Sequence, residues 1–140
     1  MIEIAAARVP EGSVEFIRAD VLSWRSAAAL GRRFDVAFFG FWLSHVPSDR
    51  FADFWGIVAD SLVDGGRAVF VDEHATEAGK ESWLAREVAE RRLSDGSTHR
   101  IVKTFLDPRD ITTRLSELGW RADVATLGSG WVIGDASRAG

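Results

Sequence analysis

The spacing of apolar and polar positions changes several times along this chain, and each change marks an element. Residues 1–8, small and apolar with no N-cap before them, predict the tail of a helix, and Pro10-Glu11-Gly12-Ser13 predicts a turn. Alternation around Val14 and Phe16 predicts a short strand that stops at Asp20. Leu22 to Leu30, rich in Ala and Ser, is compatible with a helix or an irregular connector. Phe34 to Phe39 is a continuous apolar run around Asp35, the pattern of a strand covered on both faces. Pro47-Ser48 then predicts a helix start with Ser48 as N-cap, and Phe51, Phe54, Trp55, Val58 and Leu62 recur at helical spacing.

Asp64-Gly65-Gly66 ends that helix, and Arg67 to Val71 predicts another buried strand running into Asp72-Glu73-His74. Lys80 to Arg92 reads as a charged helix with a thin stripe of Trp83, Leu84 and Val88, and Thr98 to Leu106 as extended chain. Asp107-Pro108 is the clearest helix start, Asp as cap and Pro in the first turn, with Ile111, Leu115 and Leu118 inward and Gly119 as stop. Trp120–Leu127 and Trp131–Gly134 predict a closing pair of strands joined through Gly128-Ser129-Gly130. Buried strands alternating with amphipathic helices predict one α/β domain over residues 1–140. Its sheet is doubly wound and mainly parallel, with helices on both faces and one antiparallel C-terminal member.

Composition narrows the function. A hydrophobic content of 46% supports one core, and a net charge of −4 argues against a general nucleic-acid binder. There is no Cys, which excludes disulfides and thiolate metal sites, and no Tyr, which excludes phenol-based mechanisms. The apolar stretch Val36 to Val46 is too short to span a bilayer and the start lacks a secretory signal, so a soluble cytoplasmic protein without a membrane partner is expected.

In open parallel sheets, ligands bind beyond the carboxyl ends of the strands. Three such ends are polar or unusual here: Ala19-Asp20-Val21-Leu22, Gly40-Phe41-Trp42-Leu43 and Asp72-Glu73-His74. The ordered set of Ala19-Asp20, Phe34-Asp35-Val36 leading to Leu43-Ser44-His45-Val46-Pro47, and Leu62-Val63-Asp64-Gly65-Gly66 resembles the middle and late motifs of class I, Rossmann-like S-adenosylmethionine-dependent methyltransferases. The resemblance covers nearly the whole chain. It corresponds to the C-terminal two-thirds of that fold, lacking the first two strands with their glycine-rich turn and acidic ribose ligand.

The resemblance implies S-adenosylmethionine as cofactor and a small-molecule methyl acceptor. Asp20 matches the residue that accepts a hydrogen bond from the adenine amino group, and Ala19, Val21 and Leu22 lie with it at the adenine. Phe39, Gly40 and Phe41 would lie beneath the methionine portion, with Trp42 and His45 facing substrate, and Trp24 could cover the adenine. Aromatic side chains near Phe41 and Trp42 suit cation–π contact with the sulfonium. His45 is open to two readings, a hydrogen-bonded packing residue or a general base. Asp72, Glu73 and His74 are consecutive and do not converge on one ion, so no metal is expected.

Without the glycine-rich strand, the ribose and amino-acid tail would lack their usual partners, which predicts feeble cofactor binding and impaired turnover. The rival reading is a non-catalytic, truncated domain that acts through association; a nicotinamide reductase is a weaker third. With its middle strands gone, the Val14–Ile17 strand must pair directly with Asp35–Phe39, or exposed edges must pair between chains, and a homodimer is expected.

Overall fold

In a computed structural model, the structure describes residues 2–10, 12–22 and 31–139. The expectations for Met1, Glu11, Trp24 and the rest of residues 23–30 lie outside the described residues. The elements are α1 (Ile2–Ala6), β1 (Phe34–Gly40), α2 (Phe51–Ser61), β2 (Leu62–Glu73), β3 (Ser82–Ala85), β4 (Val88–Arg92), β5 (Thr98–Val102), α3 (Pro108–Glu117), β6 (Trp120–Leu127) and β7 (Trp131–Arg138). The main sheet has strand order β1-β2-β7-β6, with β1 parallel to β2 and β7 antiparallel to both its neighbours. β1, β2 and β6 therefore run one way and β7 the other, as the closing Trp120–Leu127 and Trp131–Gly134 strands predicted. No helix of the described residues is long and apolar enough to cross a membrane.

Helix α2 forms because its apolar residues share one face: Phe51, Phe54, Trp55 and Val58 are all buried. Helix α3 starts where its cap predicts, Asp107 accepting from the N–H groups of Arg109 and Asp110, and ends at Gly119, whose φ of +77° suits a residue without Cβ. Both helices pack on the same sheet face. Ala68 and Phe70 of β2, Val132 and Ala136 of β7 and Trp120 of β6 meet Trp55, Ile111 and Leu115 in one core.

In the β2–β7 register Phe70 stands opposite Gly134, and a Cβ on Gly134 would lie 2.1 Å from the Phe70 ring. The glycine is thus required by ring packing rather than by a turn. Gly134→Ala is expected to lower stability by about 1–3 kcal/mol or more, as overpacking a core does. A denaturation midpoint unchanged from wild type would refute this account of the position.

Four expectations are corrected. First, Val14 to Asp20 forms no strand; these residues are exposed, and β1 has no strand beside its outer edge among the described residues. Second, among the described residues nothing covers the second face of β1, and the described helices do not flank the sheet. Ala37 and Phe39 face the core, whereas Phe34, Val36 and Phe38 are exposed on the opposite face. Continuity of apolar residues implied double burial, but burial depends on what packs there.

Third, Ser48 does not cap α2. It opens a short 3-10 turn and donates its hydroxyl to Glu87 Oε1 at 2.6 Å, while α2 begins after Arg50 without a side-chain cap. Fourth, Lys80 to Arg92 is not a helix. After a 3-10 segment at Ala75–Lys80, β3, β4 and β5 form a separate antiparallel sheet. The β3–β4 link is the two-residue turn Arg86-Glu87, with Glu87 at φ +60°, a turn that Asn or Gly would have signalled. Glu81 and Arg91 pair across this hairpin, and the Arg91 hydrogen bond holds the Glu81 carboxyl below its usual range.

Candidate functional site

The parallel strands β1 and β2 end side by side, and the segment after β1 folds back over the end of β2. Phe41 begins the reversal with φ +54°, a left-handed conformation that costs a bulky side chain of order 1–3 kcal/mol. Its N–H donates to Val71 O at 2.8 Å. Strain of this kind persists only where the surroundings impose it, and it gathers at binding sites.

The next turn is anchored from below. Buried Asp72, at the end of β2, accepts from Ser44 N at 2.9 Å and from Glu73 N at 2.8 Å. Buried Lys103 donates to Ser44 Oγ at 3.0 Å and forms an ion pair with Glu73. Ser44 O accepts from Thr104 N at 2.7 Å. One serine therefore ties together the β1 end, the β2 end and the segment after β5.

His45 Nδ1 lies 2.7 Å from Val102 O. A carbonyl only accepts, so Nδ1 carries the proton and Nε2 of the neutral ring holds the lone pair. His74 is tied to the sheet instead, its N–H donating to Gly130 O at 2.9 Å and its Nδ1 accepting from Thr76 N.

Two of the predicted adenine residues reach the core. Val21 and Leu22 are half-buried against it, and Arg50 fixes them by donating to Leu22 O at 3.0 Å. Asp20 accepts from Leu22 N at 3.0 Å, an Asx turn, and Ala19 is exposed. Val21, Phe39 and Trp42 line one end of an apolar cavity of about 330 Å³ between β1 and α2. Trp42 Nε1 is buried there without a hydrogen-bond partner among the described residues.

The structure thus gathers Val21, Phe39 and Trp42 around one space. Phe41 and His45 stand apart from it. The Phe41 ring packs edge-on against Trp131, centroids 5.3 Å apart, and His45 faces the β5 end. Gly40 adjoins Val71, where an added Cβ would make ordinary contact.

Lys103 and Ser44 are the residues that pattern reading missed. A lysine between Ile101-Val102 and Phe105-Leu106 was the available signal, but its partners are far away in the chain. Lys103 also lines a second cleft of about 540 Å³ with Trp83, Arg86, Glu87, Phe105 and Arg114, between the β3–β4 hairpin and α3. No group of three His, Cys, Asp or Glu side chains among the described residues could hold a metal ion.

No protein-family model matches the sequence, and comparison with curated proteins gives no match. Solved structures do match. The complex of DhpI with SAH superposes with a TM-score of 0.80 at 33% identity, over 99% of this chain and 61% of that one. The DhpI-SAM-HEP complex gives 0.76 at 33% identity, over 88% and 57%. An S-adenosylmethionine-dependent methyltransferase from Mesorhizobium loti gives 0.67 at 16% identity, over 99% and 76%. The glycopeptide N-methyltransferase MtfA with S-adenosylmethionine gives 0.66 at 16% identity, over 97% and 71%.

The mixed α/β fold is therefore that of S-adenosylmethionine-dependent methyltransferases. The chain spans about three-fifths of the length of the DhpI chain it matches.

Proposed function

We propose that this chain takes part in S-adenosylmethionine-dependent methyl transfer to a small-molecule acceptor, as a single cytoplasmic domain of the class I type. The similarity to DhpI, in structures holding SAH or SAM, is the observation that carries this reading. S-adenosylmethionine is the cofactor the comparisons support; when bound, it supplies an electrophilic methyl group on a sulfonium.

The residues fit such a ligand on the adenine side. Asp20 precedes Val21, which with Phe39 and Trp42 walls an apolar space, and the Trp42 N–H is buried there without a partner among the described residues. The turn of Gly40, Phe41 and Trp42 is the part that would lie toward the methionine portion. Ser44, held by Asp72 and Lys103, keeps that turn in place, which is how a protein without a covalent role accelerates transfer, by orientation. His45, its Nδ1 proton committed to Val102 O, offers Nε2 to take a proton from the acceptor.

Calorimetric titration of the chain with S-adenosylmethionine tests the reading. Saturable binding at micromolar to low millimolar ligand supports it; no binding at any accessible concentration overturns it. The absence of binding would favour the second reading, a domain acting through association, which the exposed row Phe34, Val36 and Phe38 favours independently.

Asp20→Ala should weaken cofactor affinity by about 1–3 kcal/mol through loss of a charged acceptor. Equal affinities for variant and wild type would remove Asp20 from the site. A homodimeric assembly is a further part of this proposal, and a monomeric mass by light scattering would overturn it.

A further inference from the structure

A cleft of about 540 Å³ runs between the β3–β4 hairpin and α3, and every residue that lines it lies within the continuous described run 31–139. That volume falls inside the range of about 300–1,000 Å³ in which small-molecule sites lie. Two aromatic side chains form one corner. Trp83 and Phe105 meet edge to face, ring centroids 5.9 Å apart and planes at 66°. Trp83 is tethered, its Nε1 donating to Ala78 O at 3.0 Å, yet the residue is 42% exposed. A flat, tethered and half-open corner favours a flat aromatic ligand, which completes it by offset or edge contact.

Electrostatics select the ligand's other end. Three cationic side chains, Arg86, Lys103 and Arg114, and two acidic ones, Glu87 and Asp110, line the cleft. Four of these five are already committed. Lys103 pairs with Glu73 and donates to Ser44 Oγ at 3.0 Å. Arg114 donates to Ser48 O at 3.1 Å, lies 3.8 Å from the Phe51 ring centroid and faces Asp110 at 3.9 Å. Glu87 accepts from Ser48 Oγ at 2.6 Å. Arg86 alone of the five has no hydrogen bond or ion pair among the described residues.

The hairpin tip that carries Arg86 is tied down twice. Glu87 O accepts from Lys103 N at 3.0 Å, and the Glu87 carboxylate holds Ser48. Glu87 also sits at φ +60°, a left-handed conformation that costs of order 1–3 kcal/mol. Asn or Gly would make the same turn without that cost. A strained residue beside the one uncommitted cation marks a binding surface, where such strain gathers.

We propose that this cleft binds a planar aromatic acid, its ring in the Trp83–Phe105 corner and its carboxylate on the Arg86 guanidinium. A guanidinium presents two parallel N–H donors to a carboxylate, and such charge-assisted pairs are stronger than neutral ones. A cationic ligand is disfavoured, because both carboxylates of the cleft are engaged and its charge would meet Arg86. The inference needs no part of the methyl-transfer reading, since the ligand is titrated without a cofactor.

2-Naphthoate serves as the probe, titrated calorimetrically into the full chain. The controls are 2-naphthamide, with the same rings and no charge, and 2-naphthylmethylammonium, with the opposite charge. The naphthoate should bind saturably, at least about tenfold more tightly than either control, and more weakly as salt rises. Arg86→Ala should lower naphthoate affinity about tenfold and leave naphthamide affinity unchanged, and Arg86→Lys should recover part of the loss. Trp83→Ala should weaken naphthoate and naphthamide alike. Both residues are exposed, so circular dichroism of the variants should match wild type. No saturable naphthoate binding, equal affinity for naphthoate and naphthamide, or wild-type affinity in Arg86→Ala or in Trp83→Ala would each overturn the proposal. Tighter binding of the ammonium would overturn it too, and would give the cleft to cations through Glu87 and Asp110.

Discussion

Trp55→Ala is expected to cost about 3–5 kcal/mol, the range for removing a fully buried tryptophan, and so to remove a large share of the roughly 5–15 kcal/mol that holds a typical domain together. Trp55 is fully buried, and its ring lies within 4.9–6.1 Å, centroid to centroid, of Phe39, Phe51, Phe54, Phe70 and Trp120. One side chain therefore joins α2 to three strands, β1, β2 and β6. No neighbour can reach across to refill the space, because each is already held by its own packing. Trp55→Phe separates volume from polarity. Trp55 Nε1 is buried without a hydrogen-bond partner among the described residues, so losing it removes a desolvated donor and offsets part of the lost packing. Urea denaturation followed by circular dichroism should rank wild type, then Trp55→Phe, then Trp55→Ala. A Trp55→Ala midpoint close to wild type would mean that the two layers are joined elsewhere.

The second large effect is expected at Asp72. Its carboxylate is fully buried and accepts from two backbone N–H groups, those of Ser44 and Glu73. Asp72→Ala leaves both donors inside the protein with nothing to bond, at about 1–3 kcal/mol each, so a loss of about 2–6 kcal/mol is expected. The damage has a direction. Ser44 N belongs to the turn that carries Gly40, Phe41 and Trp42 away from β1, so its amide should lose hydrogen-exchange protection more than amides of α3. Asp72→Asn keeps an acceptor oxygen and should fall between. Uniform loss of protection across the domain would show Asp72 to be a packing residue with no particular hold on the turn. If the turn does position the cofactor, Asp72→Ala should also weaken S-adenosylmethionine binding more than His74→Ala, at a half-buried position close by, does.

Much of this protein was legible from its residues alone. The α3 start at Asp107-Pro108, the stop at Gly119 and the paired final strands are local: caps, fixed φ values and alternation act within a few residues, and the chain carries them openly. The inward face of α2 was equally clear for Phe51, Phe54, Trp55 and Val58, which helical spacing sorts to one side, but Leu62 and Asp64-Gly65-Gly66, read as the end of that helix, belong to β2. The family resemblance rested on motifs of the same short range, and the solved structures with the same fold agree with it.

The tertiary structure decided what depends on distant partners. Whether Phe34, Val36 and Phe38 are buried is set by what lies over the sheet, not by their hydrophobicity, and among the described residues nothing covers them. Residues 82–92 have a composition that suits a helix, but pairing with β5 and the Glu81–Arg91 ion pair make a hairpin of them. Ser48 carries the signature of a cap, yet its hydroxyl goes to Glu87, which the chain brings close only after folding. The anchor of the candidate site is of the same kind. Ser44, Asp72 and Lys103 are separated by 28 and 59 positions from the serine, and no local rule links them. A buried charge must find partners wherever the fold supplies them, and only the three-dimensional arrangement of the strand ends reveals which residues those are.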